Sequence, residues 1–171
     1  MRLSMISAGA LVSVLLSGCV THHPQTAEEF RRAVPGAFMA KTETFEVDRP
    51  FRDVAATFRK KAPECLEVTV RTTSRTTTSY QVIVTEFNPT VVVTEKRAEL
   101  HVQQHHKAGV LKVTKEPAGG YYLLVADAYP VDQRRTKVQM FRPSVGHGVL
   151  IRAVRAWATG EDLGCPDMTK S

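Results

Sequence analysis

What most limits the fold of this chain is a dense succession of β-forming segments with little chain between them. From residue 65 to 142, the stretches CLEVTVRTT (65–73), SYQVIVTEF (79–87), TVVVTEKRAELHVQQ (90–104), GVLKVTKE (109–116), YYLLVADAYP (121–130) and RTKVQMFR (135–142) carry β-branched and aromatic residues in partial alternation. Asn88-Pro89, Lys107-Ala108-Gly109 and Pro117-Ala118-Gly119-Gly120 read as the turns between them. Connections this short join antiparallel neighbours, because a parallel crossover needs a dozen or more residues. The run RTTSRTTTS (71–79) reads equally as a loop or as a hairpin with a loose tip, since threonine suits strands.

Two amphipathic segments bracket this region. TETFEV (42–47) reads as a first strand, after which Asp48 offers a cap and Pro50 a first-turn residue. The helix that follows puts Phe51, Val54, Ala55, Phe58 and Ala62 on one stripe, and Pro63 is expected to end it. Near the C-terminus, Val149, Leu150, Ala153, Val154 and Trp157 form a second stripe, with Ser144 as the expected cap and Gly160 as the stop. The chain therefore reads as α+β, with a single antiparallel sheet of about six to seven strands in the order β-α-β(×6)-α and both helices on one face. That element order, over residues 42–160, resembles the helix-grip fold. The resemblance implies a curved sheet around the C-terminal helix, with room for a ligand between them. A flat sheet with two helices and no cavity is the competing arrangement.

The N-terminus gives an address. Met1-Arg2-Leu3-Ser4 is a short basic segment, followed by about a dozen apolar or small residues, the plan of an export signal. The run is too short to span a bilayer as a helix, which takes about 20 residues. It ends in Leu16-Ser17-Gly18-Cys19. These four residues resemble the lipobox of bacterial lipoproteins, which signal peptidase II cuts before the cysteine. The resemblance implies that residues 1–18 are removed and that Cys19 becomes an acylated first residue. Residues 19–40 would then be lipidated cysteine and tether, and 41–171 one α+β domain. Two or three acyl chains hold a protein on a membrane, where one does so only marginally. In that family, an aspartate after the cysteine retains the protein at the inner membrane. Val20 in that place implies the inner leaflet of the outer membrane, facing the periplasm, with the inner membrane as the alternative. The periplasm is oxidising, so the remaining cysteines, Cys65 and Cys165, are expected to form a disulfide, against the alternatives of free thiols or a redox pair. TAEEFRRAV (26–34), inside the tether, has a capping threonine and first-turn acids, the marks of a short helix.

Little points to chemistry. There is no G-x-S-x-G, no H-E-x-x-H and no phosphate-binding glycine loop, so a non-enzymatic protein without cofactor is expected. His101 and His105 share a strand face but stand roughly 13 Å apart, too far to share one metal. His22-His23 are expected to be exposed in the tether, and His147 to serve a loop or cap. Asp127, inside the apolar LLVADAYP, either points outward or pairs with an arginine. The formal net charge of +6 favours anionic partners. Arg134, Arg135, Lys137, Arg142, Arg152 and Arg155 are concentrated late in the chain and form a candidate anion-binding patch, against the alternative of a solvated face. Export disfavours nucleic acid. The expected partners are the membrane, through the anchor, and another envelope protein or anionic envelope component. The alternative function is carriage of a small apolar or lipid ligand in a helix-grip cavity.

Overall fold

A computed structural model describes residues 23–38, 40–75, 80–108, 116–143 and 146–170. The elements are α1 (Ala27–Ala33), β1 (Lys41–Val47), α2 (Phe51–Leu66), β2 (Val68–Arg75), β3 (Tyr80–Val93), β4 (Ala98–Ala108), β5 (Tyr121–Pro130), β6 (Thr136–Arg142) and α3 (Gly148–Thr159). The strands make one antiparallel sheet in the order β1-β6-β5-β4-β3-β2. This is the expected α+β, helix-grip-like order, with three departures.

First, five strands rather than six follow α2 among the described residues. Asn88-Pro89 is not a turn: β3 runs through it, and the chain reverses instead at Thr94–Arg97, where the backbone N–H of Thr94 donates to the Arg97 carbonyl at 2.8 Å. Pro89 sits beyond the last β2–β3 pair, Val68↔Phe87, where β3 has a strand neighbour on one side only. A missing N–H is tolerated at such an edge. The segment expected at 109–116 lies outside the described residues except for Glu116. Second, Pro63 does not end α2, which continues to Leu66. The last turn buries Ala62, Cys65 and Leu66, and Cys65 is bonded to Cys165, 100 residues away. That packing outweighs one lost helix hydrogen bond. Third, the short helix expected within 26–34 forms, and it packs on the sheet, so a third helix joins the two expected ones. Thr26 Oγ1 accepts from the Glu29 N–H at 3.1 Å and caps α1, whose Ala27 and Phe30 are buried on the sheet.

Alternation along the central strands sorts the two faces. Leu100 and Val102 of β4, Leu124, Ala126 and Ala128 of β5, and Val138 and Met140 of β6 belong to one core with Phe58 of α2 and Leu150, Val154 and Trp157 of α3. Their opposite-facing neighbours Val125 and Phe141 pack with Phe30 and Val34 in a second, smaller cluster. Strand β5 is thus buried on both sides, which explains its nearly continuous apolar sequence.

The C-terminal end of α3 is set by the glycine that follows it and by an arginine far away in sequence. Gly160 takes φ 91°, a left-handed conformation that favours glycine, and its N–H donates to the Ala156 carbonyl at 2.8 Å. Arg49, between β1 and α2, donates through Nη1 to the carbonyls of Trp157 at 2.7 Å and Ala158 at 3.2 Å. The other end begins at His147, with φ 56° and no side-chain cap; the expected cap, Ser144, lies outside the described residues.

Candidate functional site

Helix α1 is too short to be stable alone, and it crosses the second face of the sheet over a cluster of buried charge. Glu99 of β4 and Asp127 of β5 are register partners on that face. Arg31 of α1 reaches both. Its Nε donates to Asp127 Oδ2 at 2.6 Å, its Nη2 donates to Asp127 Oδ1 at 2.8 Å, and the same Nη2 donates to Glu99. Arg97 adds a second guanidinium, 3.2 Å from Glu99 Oε2. His101 Nδ1 lies 2.9 Å from Glu99 Oε1. The His101 ring lies 5.4 Å from that of Tyr122, which packs on Phe30. Asp127 is fully buried. Of the two sequence readings for this residue, pairing with an arginine is the one observed.

The electrostatics follow from these contacts. The hydrogen bonds that Glu99 accepts from His101 and from Arg31 hold its carboxyl down at about 2, against burial, which would raise it. Burial disfavours the Arg31 charge, but its bonds to Asp127 and Glu99 outweigh that and raise its pKa. A carboxylate held so low does not trade protons near neutral pH, where general acids and bases work. Two guanidinia face two carboxylates, and the arrangement fastens α1 to the sheet. Losing one partner of such a group strands buried charge, so it fixes one docking geometry for the helix.

Beside this cluster is a pocket of about 380 Å3. Its lining comes from α1 and the segment after it (Phe30, Ala33, Val34, Ala37, Phe38, Ala40), from His23 and Pro24 before α1, and from Tyr121, Tyr122 and Pro143 of the sheet and its edge. The lining is largely apolar. His23, expected to be exposed, is half-buried with its ring 4.8 Å from that of Tyr121. The pocket lies on the α1 face. On the opposite face, where a helix-grip ligand would sit, Trp157, Phe58, Leu150 and Leu124 are fully buried and pack against one another.

The basic residues divide rather than converge. Arg142 and Arg155 both bind Glu43 of β1, Arg142 at 2.9 Å, and the Arg155 guanidinium lies over the Phe45 ring at 4.3 Å. Burial would raise the Glu43 carboxyl, but the two arginines hold it below its ordinary value. Arg134 and Arg135 occupy the β5–β6 turn, at the far end of β6 from Arg142, and Arg135 is held by Asp132 at 2.8 Å and Glu46 at 3.2 Å. Lys137 is exposed beside the Tyr129 ring, and Arg152 is exposed on α3. The histidines also separate: His105 Nδ1 meets Glu116 at 2.7 Å, and His106 Nδ1 meets Thr85 Oγ1 at 3.0 Å. His147 is half-buried; its Nδ1 is shielded from solvent with no hydrogen-bond partner among the described residues, and burial lowers its pKa. Cys65 and Cys165 are joined. Cys19 and the leader lie outside the described residues.

Sequence reasoning missed Arg31, Glu99, Arg97 and the pocket. The available signal was an acid inside a strand too apolar to have a wet face, which requires a cation from elsewhere in the chain.

No protein-family model and no curated protein matches the chain. Among solved structures, it is similar to norcoclaurine synthase from Thalictrum flavum, solved in complex with dopamine and hydroxybenzaldehyde. The alignment covers 70% of this chain and 86% of that one, at 11% identity and a TM-score of 0.28. A likeness of that size transfers neither activity nor site.

Proposed function

We propose that this protein is exported, cut before Cys19 and anchored by acyl groups on that cysteine, and that its domain is a non-enzymatic binding or scaffolding module of the cell envelope. The observation that carries the reading is Leu16-Ser17-Gly18-Cys19 at the end of a basic, then apolar, leader. With Val20 next, the anchor belongs in the inner leaflet of the outer membrane, and the domain faces the periplasm. The Cys65–Cys165 disulfide suits an oxidising compartment. The carboxylates of the polar cluster are neutralised in place, which favours a structural role over acid–base work. The pocket beside α1 favours a second reading, a carrier that holds a small apolar ligand there. Its partners are then the membrane and an apolar or anionic envelope component, with no cofactor.

Intact mass of the protein extracted from a Gram-negative host tests the address. The expected mass is that of residues 19–171 plus acyl groups, with two thiols appearing only after reduction. A Cys19→Ser variant is expected to lose the acyl mass. An unacylated wild-type protein, or a cut elsewhere, removes the anchor and the proposal with it. An apolar molecule retained in a native spectrum, and lost when Ala33→Trp fills the pocket, would favour the carrier.

A further inference from the structure

We infer that the end of the domain bearing Phe38 and the pocket mouth lies on the lipid bilayer, with Phe38 inserted at the interface; this rests on acylation of Cys19. Among the described residues Phe38 is the most exposed of the large hydrophobics, at 91%, and it lines the pocket. An isolated exposed phenylalanine would need no explanation. This one is tied to the anchor by chain length. His23 lines the same pocket, and only four residue steps separate it from Cys19, a reach of at most about 14 Å when fully extended. A cysteine acylated in the membrane therefore keeps this end of the domain at the headgroup layer, and no other end of the fold is so constrained.

The charges around the rim agree. Arg32 of α1, 3.9 Å from Glu28 Oε1 but largely exposed, and Lys41, next to Ala40 at the start of β1, face solvent. The acids of α1 are engaged within the domain: Glu28 with Arg31 at 3.2 Å, and Glu29 with the Gln25 N–H at 2.8 Å. A protruding aromatic ring with flanking cations, beside an apolar cleft, is complementary to an interface of acyl chains under anionic headgroups. The partner is thus the phospholipid surface in which the anchor sits.

The test uses the full acylated protein in phosphatidylethanolamine–phosphatidylglycerol vesicles whose acyl chains carry bromine, a short-range quencher of indole fluorescence. Two variants are compared, Phe38→Trp and Gln133→Trp, the second in the exposed β5–β6 turn at the far end of the sheet. The native Trp157 is buried and gives both the same background. Phe38→Trp is expected to be quenched severalfold more than Gln133→Trp, with blue-shifted emission on vesicle binding. Equal quenching in a protein whose mass carries the acyl groups overturns the inference and leaves the anchor standing. A mass without acyl groups overturns both, through a different readout. Both substitutions lie on exposed side chains, and formation of the Cys65–Cys165 disulfide reports that each variant has folded.

Discussion

The two faces of the sheet are closed by different means. On one, two helices lay apolar stripes over Leu100, Leu124, Ala126 and Met140, and a disulfide ties the end of α2 to the C-terminal segment. On the other, a helix of 7 residues contributes a few apolar contacts and one arginine that meets two buried carboxylates. The first cover is broad and tolerant, since burial scales with area and many contacts share the work. The second is small and exacting, since a few charge-assisted bonds set the geometry and their loss leaves charge without solvent. Regions with little buried apolar surface open first, so α1 is the low-stability cover and the α2/α3 layer the high-stability one.

The comparison breaks most directly at Arg31. Arg31→Met leaves the fully buried Asp127 with only Arg97, 3.9 Å away, and removes one of the two guanidinia on Glu99, and the expected loss is about 3–5 kcal/mol. Hydrogen exchange should show α1 losing protection before α2 and α3; retained protection across α1 would contradict the latch. Replacing Arg31, Glu99 and Asp127 together by apolar residues of similar size should recover much of the loss.

Phe58→Ala, on the other face, is expected to cost about 3–5 kcal/mol with a different signature. Denaturant unfolding should move as one transition, and α1 should lose no more protection than the rest. Cys65→Ser with Cys165→Ser comes next, at about 2–4 kcal/mol, because the bond closes a long loop in the unfolded chain. The shift should appear in the denaturation midpoint while the exposure of α1 in the native state stays unchanged.

Acid gives the mildest break. The Glu99 carboxyl titrates at about 2 in the fold, below its ordinary value. A depressed carboxyl contributes stability that is present above its unfolded pKa, about 4.3 for glutamate, and lost as pH falls through the folded value. Exchange in α1 should therefore accelerate between about pH 4.3 and pH 2 relative to α2. In Glu99→Gln this difference between helices should shrink across that range.

The cover that could be read from sequence is the apolar one. Both stripes were legible because a period of 3.6 residues is local information, and Gly160 marked a stop for the same reason. The ionic cover was not legible, because Arg31 meets Asp127 across 96 residues and nothing near Arg31 distinguishes it from Arg32. The prolines misled in the opposite direction. Pro63 and Pro89 each remove a donor, which reads locally as a break, but buried neighbours carry α2 onward and an edge position excuses β3. The basic residues looked like a patch because they are close in sequence. Strand β6 separates them along its length, and Glu43, Glu46 and Asp132 take three of them.

The first strand of this sheet is partnered by the last. Among the described residues, strand β1, at Lys41–Val47, pairs only with β6, at Thr136–Arg142. A chain emerging from its N-terminus can close the β2–β3–β4 ladder early, since those contacts are near in sequence. It must hold β1 as an unpaired edge until most of its length has appeared, because ordering so long a loop precedes any reward from the pairing. Arg31 waits for Asp127, and Cys65 for Cys165, on the same schedule. Folding in the order of synthesis is therefore incomplete for this molecule: α1 and β1 reach their native places only when β5 and β6 arrive.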